Sequence, residues 1–165
     1  MKKLTFTVLC LILTTFVAAG SLRAQKQGNI ELKAIAEIEI EDFNEEGKKE
    51  IKRVAAAKVL PGDEVIYTVF YTNVSRDKAD NVLITNPIPQ HMLYKTDSAA
   101  GNDAVITFSV DGGKTYDLPE NLKVQDAAGK EFPAEASDYT HIRWVRQKSL
   151  LPDTESQVSF RAKLQ

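Results

Sequence analysis

The stretch "QVSFRAKLQ" at residues 157–165 sets Val158, Phe160, Ala162 and Leu164 against Ser159, Arg161 and Lys163. Alternation with a period of two marks a β-strand with one packed face and one wet face, and a helix cannot gather such a pattern on one side. The pattern recurs along the chain. From Ile30 to Ile40 every even position is apolar. In "DEVIYTVFYTN" Val65, Tyr67, Val69 and Tyr71 share one face, while Ile66, Thr68, Phe70 and Thr72 share the other. The two threonines assign that second face to the outside. "NVLITN" places Val82 and Ile84 together, "AVITFSV" sets Ile106, Phe108 and Val110 against Thr107 and Ser109, and "YTHIRWVRQ" sets Ile142 and Trp144 against Arg143.

Turn chemistry separates these runs. Pro61-Gly62 predicts a tight turn, proline presetting φ and glycine accepting a positive φ. Asp111-Gly112-Gly113 predicts a hairpin turn. "EDFNEEGKK" reads as a hairpin tip, "SRDKAD" as a polar bend, residues 117–138 as loop, and Pro87 and Pro89 as a strand stop, since neither offers an amide to a ladder. The segment "EIKRVAAAKVL" fits both a strand and a short helix, and its neighbours support strand. Seven to nine short strands without a long amphipathic helix predict an all-β, antiparallel β-sandwich.

Ahead of this domain, Lys2 and Lys3 precede an uncharged, mostly apolar run from Leu4 to Gly20 that ends in small residues. That layout predicts a signal-peptide helix over residues 1–24 with cleavage after Ala24, because the run is short for a membrane span of about 20 apolar residues. The expected products are an N-terminal strand and acidic loop over 25–49, part of or added to the sandwich, and an immunoglobulin-size sandwich domain over 50–165. The sole cysteine, Cys10, lies inside the apolar run, so the mature chain has no thiol and no lipid anchor is expected. Cleavage also removes Lys2, Lys3 and Arg23 from the 21 basic residues and nothing from the 23 acidic ones, moving the formal charge from −2 to −5. An acidic chain without a basic cluster is not built for nucleic acid or for an anionic membrane surface. The mature chain is expected to be exported to the periplasm or cell surface without stable membrane insertion.

Several of these motifs resemble the bacterial repeat domain known as domain of unknown function eleven. They are the turn Pro61-Gly62-Asp63, the strand Val65–Val69, Asn73, the strand Ala79–Thr85 and Pro89, followed by "FSVDGGKTY", "YTHIRW" and "LLPDTESQVSFRA". The resemblance spans residues 50–165. It implies an immunoglobulin-like sandwich of the kind found in tandem in exported surface proteins, and it brings no catalytic motif. Here there is a single copy, and Asn86 stands where an Asp is common.

The chemistry-bearing residues are sparse. His91 and His141 lack His-X-His or Glu-X-X-His spacing, so neither a zinc site nor a triad is expected. Asp111 and Asp117 offer too few oxygen ligands for a calcium loop and read as turn residues, as do Asp63 and Asp103. Asn73-Val74-Ser75 matches a glycosylation triplet but reads as a strand end. The acidic run "EIEIEDFNEE" reads as a solvated edge. Tyr67, Phe70, Tyr71 and Trp144 could be thought an aromatic platform, yet aromatics at strand period pack in cores or across strands. Of the three aromatics in "DEVIYTVFYTN", only Phe70 lies on the face assigned to the outside, and it is the tentative partner-binding residue. The expected function is a non-enzymatic exported envelope module that mediates interaction with an unidentified envelope or surface protein or supports cell-surface structure. A glycan- or peptide-binding aromatic face is the alternative and a hydrolase the third reading. No catalytic residue, cofactor or metal is expected.

Overall fold

The computed structural model describes residues 26–27 and 29–165. The expected signal helix lies outside the described residues. The chain runs through β1 (Lys26–Gln27), β2 (Ile30–Phe43), β3 (Lys49–Ala55), β4 (Glu64–Asn73), β5 (Leu83–Pro87), β6 (Met92–Tyr94), β7 (Ala100–Gly101) and β8 (Ala104–Ser109). It continues through β9 (Lys123–Gln125), β10 (Glu131–Pro133), β11 (His141–Arg146) and β12 (Glu155–Leu164), with single 3-10 turns at Pro119–Asn121 and Ala136–Asp138. Seven of these strands have five residues or more, which are the strands whose alternation is long enough to read.

All pairing is antiparallel. One sheet has the order β1-β2-β4-β12-β6, with β3 added to β2 and β7 to β12. The second has the order β5-β11-β8. The inner faces meet in one core: Val69 and Tyr71 from β4 and Val158, Phe160 and Ala162 from β12 pack with Ile84, Phe108, Ile142 and Trp144 from the second sheet. These are the side chains that alternation points inward. Trp144, Ile142 and Phe160 are almost fully enclosed. β7 is held closely over this core. A Cβ at Gly101 would stand 2.9 Å from Trp144 Cδ1 and 2.9 Å from Val158 Cγ1, so only glycine fits without moving one of them.

The structure corrects the sequence reading in several places. β4 is buried on parts of both faces, because Ile66 and Thr68 on its outer side are enclosed along with the inner row. At Ile66 a bridge spans three strands. Arg161 on β12 reaches over β4 to Glu39 on β2, donating at 2.9 and 3.0 Å, and donates to Glu64 at 2.7 Å. Since Arg161 stands directly beside Ile66, its aliphatic stem covers that side chain. "EIKRVAAAKVL" forms a strand only as far as Ala55. β5 extends through Pro87, which an edge strand tolerates. No strand ladder follows Asp111-Gly112-Gly113, and the loop is closed by the single bridge Phe108↔Asp117. Residues 117–138 are not plain loop, since β9 and β10 pair within them.

The β2–β3 hairpin continues beyond the body of the sandwich. β2 pairs with β4 only from Ile30 to Ile38, while its pairing with β3 runs from Glu37 to Phe43. The even-position stripe is therefore split. Ile30 and Leu32 pack against the core, whereas Ile40 is exposed. At the arm's tip Phe43 and Ile51 are 67% and 70% exposed. Cross-strand ion pairs hold the arm: Arg53 with Glu39, Lys52 with Asp42 and Lys49 with Glu41.

Two of the four chain crossings between the sheets, β4 to β5 and β11 to β12, are fastened at one residue. Asn73, the last residue of β4, is fully buried. Its Nδ2 donates to the carbonyls of Asp77 at 2.8 Å and Leu150 at 2.9 Å, and its Oδ1 accepts from the amide and hydroxyl of Ser75. Its backbone amide donates to Thr154 O and its carbonyl accepts from the Asp153 amide. Asn73→Ala removes four side-chain hydrogen bonds from a fully buried position and should cost about 2–4 kcal/mol in urea unfolding. Gly101→Ala should cost about 1–3 kcal/mol by overpacking. A midpoint unchanged from wild type in either variant would contradict the packing described.

The Arg161 bridge makes stability pH-dependent. The Arg161 hydrogen bond holds Glu39 below its ordinary carboxylate pKa. Burial pushes Glu64 up, but hydrogen bonds from Lys95 and Arg161 outweigh it and leave Glu64 lowered as well. Carboxylates depressed in the folded state add stability above their unfolded pKa and lose it as the pH falls through the folded value, here below about pH 4. The drop in urea midpoint between pH 7 and pH 3 should therefore be smaller in Arg161→Gln than in the wild type.

Candidate functional site

Three aromatic rings from distant parts of the chain converge where the two sheets part. Tyr94 on β6 points inward because it stands opposite Ala162, an inner-face residue of β12. Phe108 on β8 comes from the other sheet, and its ring lies 5.2 Å from that of Tyr94. Tyr139, from the loop before β11, stacks on Phe108 at 4.5 Å and 27° and tilts against Tyr94 at 5.9 Å. Tyr94 and Phe108 are buried, while Tyr139 is half-buried. Above these rings is an open cleft of about 570 Å³, walled by Leu93, Thr96 and Asp97 on one side and Pro119 and residues 134–137 on the other.

Both walls are fastened to the scaffold. On the first, Tyr94 Oη accepts from the Ala99 amide at 3.0 Å, the Lys95 amide donates to Arg161 O, and Ser98 Oγ accepts from the Arg161 amide. On the second, Glu135 and Asp138 form a reciprocal capping box. The Ala134 amide also donates to Leu122 O, and the Thr140 amide to Ser109 O at 2.7 Å. A concave aromatic floor with hydrogen-bonded walls is the usual build of a preformed ligand site.

The cleft is acidic. Burial raises the pKa of Tyr139, and Tyr94, Asp138, Asp97 and Glu120 raise it further. Asp138 is committed to the capping box. Asp97 and Glu120 have neither an ion pair nor a side-chain hydrogen bond among the described residues, whereas Glu39, Glu41, Asp42, Glu64 and Asp103 all face cations.

The residues singled out from the sequence lie elsewhere. Phe70 points away from the core, between Lys33 and Gln157, and is half-buried beside a shallow hollow of about 280 Å³ with Asn102, Glu155 and Ser156. It meets no aromatic platform. Tyr71 and Trp144 are core residues, and Tyr67 stacks on Phe160 at 5.0 Å. His91 sits in the turn before β6 with φ 65°, and His141 opens β11 with Nδ1 3.1 Å from Thr140 Oγ1. Different elements carry the two imidazoles, and no bond joins them. Asp111 is a turn residue: its carboxylate accepts from the Thr115 hydroxyl and amide, the Ser109 hydroxyl and the Lys114 amide. Those bonds, the Thr115 hydroxyl foremost, hold its pKa far below the carboxylate range. Asp117 is engaged with Asn121 and the Leu118 amide. Asp63 accepts from the Leu60 amide, and Asp103 pairs with Lys148. Within the acidic run of 37–46, Glu39, Glu41 and Asp42 pair with cations across the arm. The Asn73 side chain is consumed by its four bonds.

Among the described residues, no group of three or more His, Cys, Asp or Glu is placed to hold a metal ion. Nor is any helix among them long and apolar enough to cross a membrane. No family model, no curated protein and no solved structure matches the chain. What the structure itself defines is a mostly β, antiparallel, sandwich-like domain with a preformed aromatic cleft between its sheets.

Proposed function

We propose that this chain is a non-enzymatic exported module of the cell envelope that holds a segment of a protein partner in the cleft over Tyr94, Phe108 and Tyr139. Export rests on the basic start, apolar run and small-residue end of residues 1–24. The immunoglobulin-like character and kinship with domain of unknown function eleven rest on the motifs from Pro61-Gly62-Asp63 to "LLPDTESQVSFRA". One observation carries the binding reading: the cleft is ringed by fastened backbone and floored by aromatic rings, so little conformational entropy is lost when a ligand enters. Aromatic anchors in such pockets are where binding energy concentrates.

Phe70 supports a second reading, in which the hollow beside it receives the partner or a glycan. Site-specific photo-cross-linking in intact cells separates the two. A photoreactive residue at Ser137, on the cleft wall, should yield a discrete adduct with one envelope protein, and the same residue at Gln157, beside Phe70, should not. Adducts from Gln157 alone would move the site to Phe70. No discrete adduct from either position would overturn the partner-binding function.

A further inference from the structure

The cleft's shape and charge define what it selects, an inference that rests on the binding role proposed above. The geometry points to recognition of a basic side chain, a lysine ammonium or arginine guanidinium, carried on an exposed segment of the partner protein. Three features of the site converge on a cation. First, the floor is aromatic, and ring faces attract cations more strongly once water is excluded. Tyr139 is the ring that reaches solvent, and its hydroxyl forms no hydrogen bond among the described residues. Second, Asp97 lines the cleft and Glu120 follows the wall residue Pro119, and neither carboxylate has an ion pair among the described residues. Elsewhere on the molecule, Glu39, Glu41, Asp42 and Glu64 are neutralised by Lys and Arg from a neighbouring strand or loop. The negative charge at the cleft is left for a ligand. Third, the walls do not need to move to accept it. Asp97 sits in the left-handed region at φ 58°, in a loop fastened through Ser98 to Arg161, so its position is set by the scaffold.

An anionic segment would meet like charge here. A wholly apolar segment would bury the edges of Asp97 and Glu120 without a partner, which costs binding energy. A lysine or arginine side chain satisfies both demands: its methylene stem lies along the rings while its charged end meets the carboxylates.

Nuclear magnetic resonance titration of the purified, isotope-labelled protein tests this. The probes are the blocked tripeptides acetyl-Gly-Lys-Gly-amide and acetyl-Gly-norleucine-Gly-amide, which differ only in the charged end. The lysine peptide should shift the amides of residues 94–97 and 135–139 in a saturable way. The norleucine peptide should bind those residues about tenfold more weakly. Raising the salt from about 50 to about 500 mM should weaken only the lysine peptide. The double variant Asp97→Asn with Glu120→Gln should keep the wild-type spectrum elsewhere and abolish the difference between the peptides, asparagine being tolerant of the positive φ at position 97. Equal binding of both peptides at the cleft would overturn the charge selection while leaving the cleft a binding site. A lysine peptide that shifts no cleft amide at millimolar concentration would overturn the inference, and the cross-linking result would still judge the binding role.

Discussion

The side-chain amide of Asn73 ties together two of the four places where the chain leaves one sheet for the other. After β4 the chain crosses to β5, and after β11 it crosses back to β12. Each crossing exposes backbone groups that no ladder satisfies, and buried groups of that kind must find partners. Asn73 supplies them for both corners, bonding Asp77 O on the first and Leu150 O on the second, while Ala79 and Leu150 bridge the corners directly. An asparagine suits the position because one amide presents two donors and one acceptor in a fixed plane.

The cleft follows from that fastening. Its floor is made of one ring from each sheet and one from a loop, so it exists only if the sheets keep their separation. The corners at Asn73, the nine-residue pairing of β4 with β12 and the close seat of Gly101 over Trp144 set that separation. The link to the cleft wall is direct, because Arg161 on β12 also holds the 95–98 loop through its backbone. The β2–β3 arm contributes to none of this. Beyond Ile38 its backbone pairs only with its own partner strand, the Glu39–Arg161 contact to β12 lying at its root, and cross-strand charge pairs stabilise it at solvent-exposed positions where each adds little.

Much of the sandwich was legible in the sequence. Alternation identified the inner residues of β12 and β11, because a strand packed on one face must repeat every second residue. It also placed Phe70 on the side of β4 facing away from the core. It failed for Ile66, since that residue lies beside an arginine on a strand far away in sequence, which bridges over it to Glu39. It overstated β2 because periodicity records a face but not whether a second sheet extends far enough to cover it. The three-residue strands β6, β9 and β10 are too short to show a period at all. The cleft was invisible for a related reason: Tyr94, Phe108 and Tyr139 are far apart in the chain and come together only through inter-sheet packing. The unpaired state of Asp97 and Glu120 is likewise a fact of three dimensions.

The central claim is that a core fastened at the β4 and β12 corners holds the cleft in place, with the arm as a separate, weaker element. Native-state hydrogen exchange measures this residue by residue. The amides of Val69, Tyr71, Val158 and Phe160 should exchange only through global unfolding, and the Lys95 and Thr140 amides at the cleft walls should be protected well above the paired amides of the arm beyond Ile38. Arm amides as protected as those of β4, or β12 amides exchanging by local opening, would contradict it.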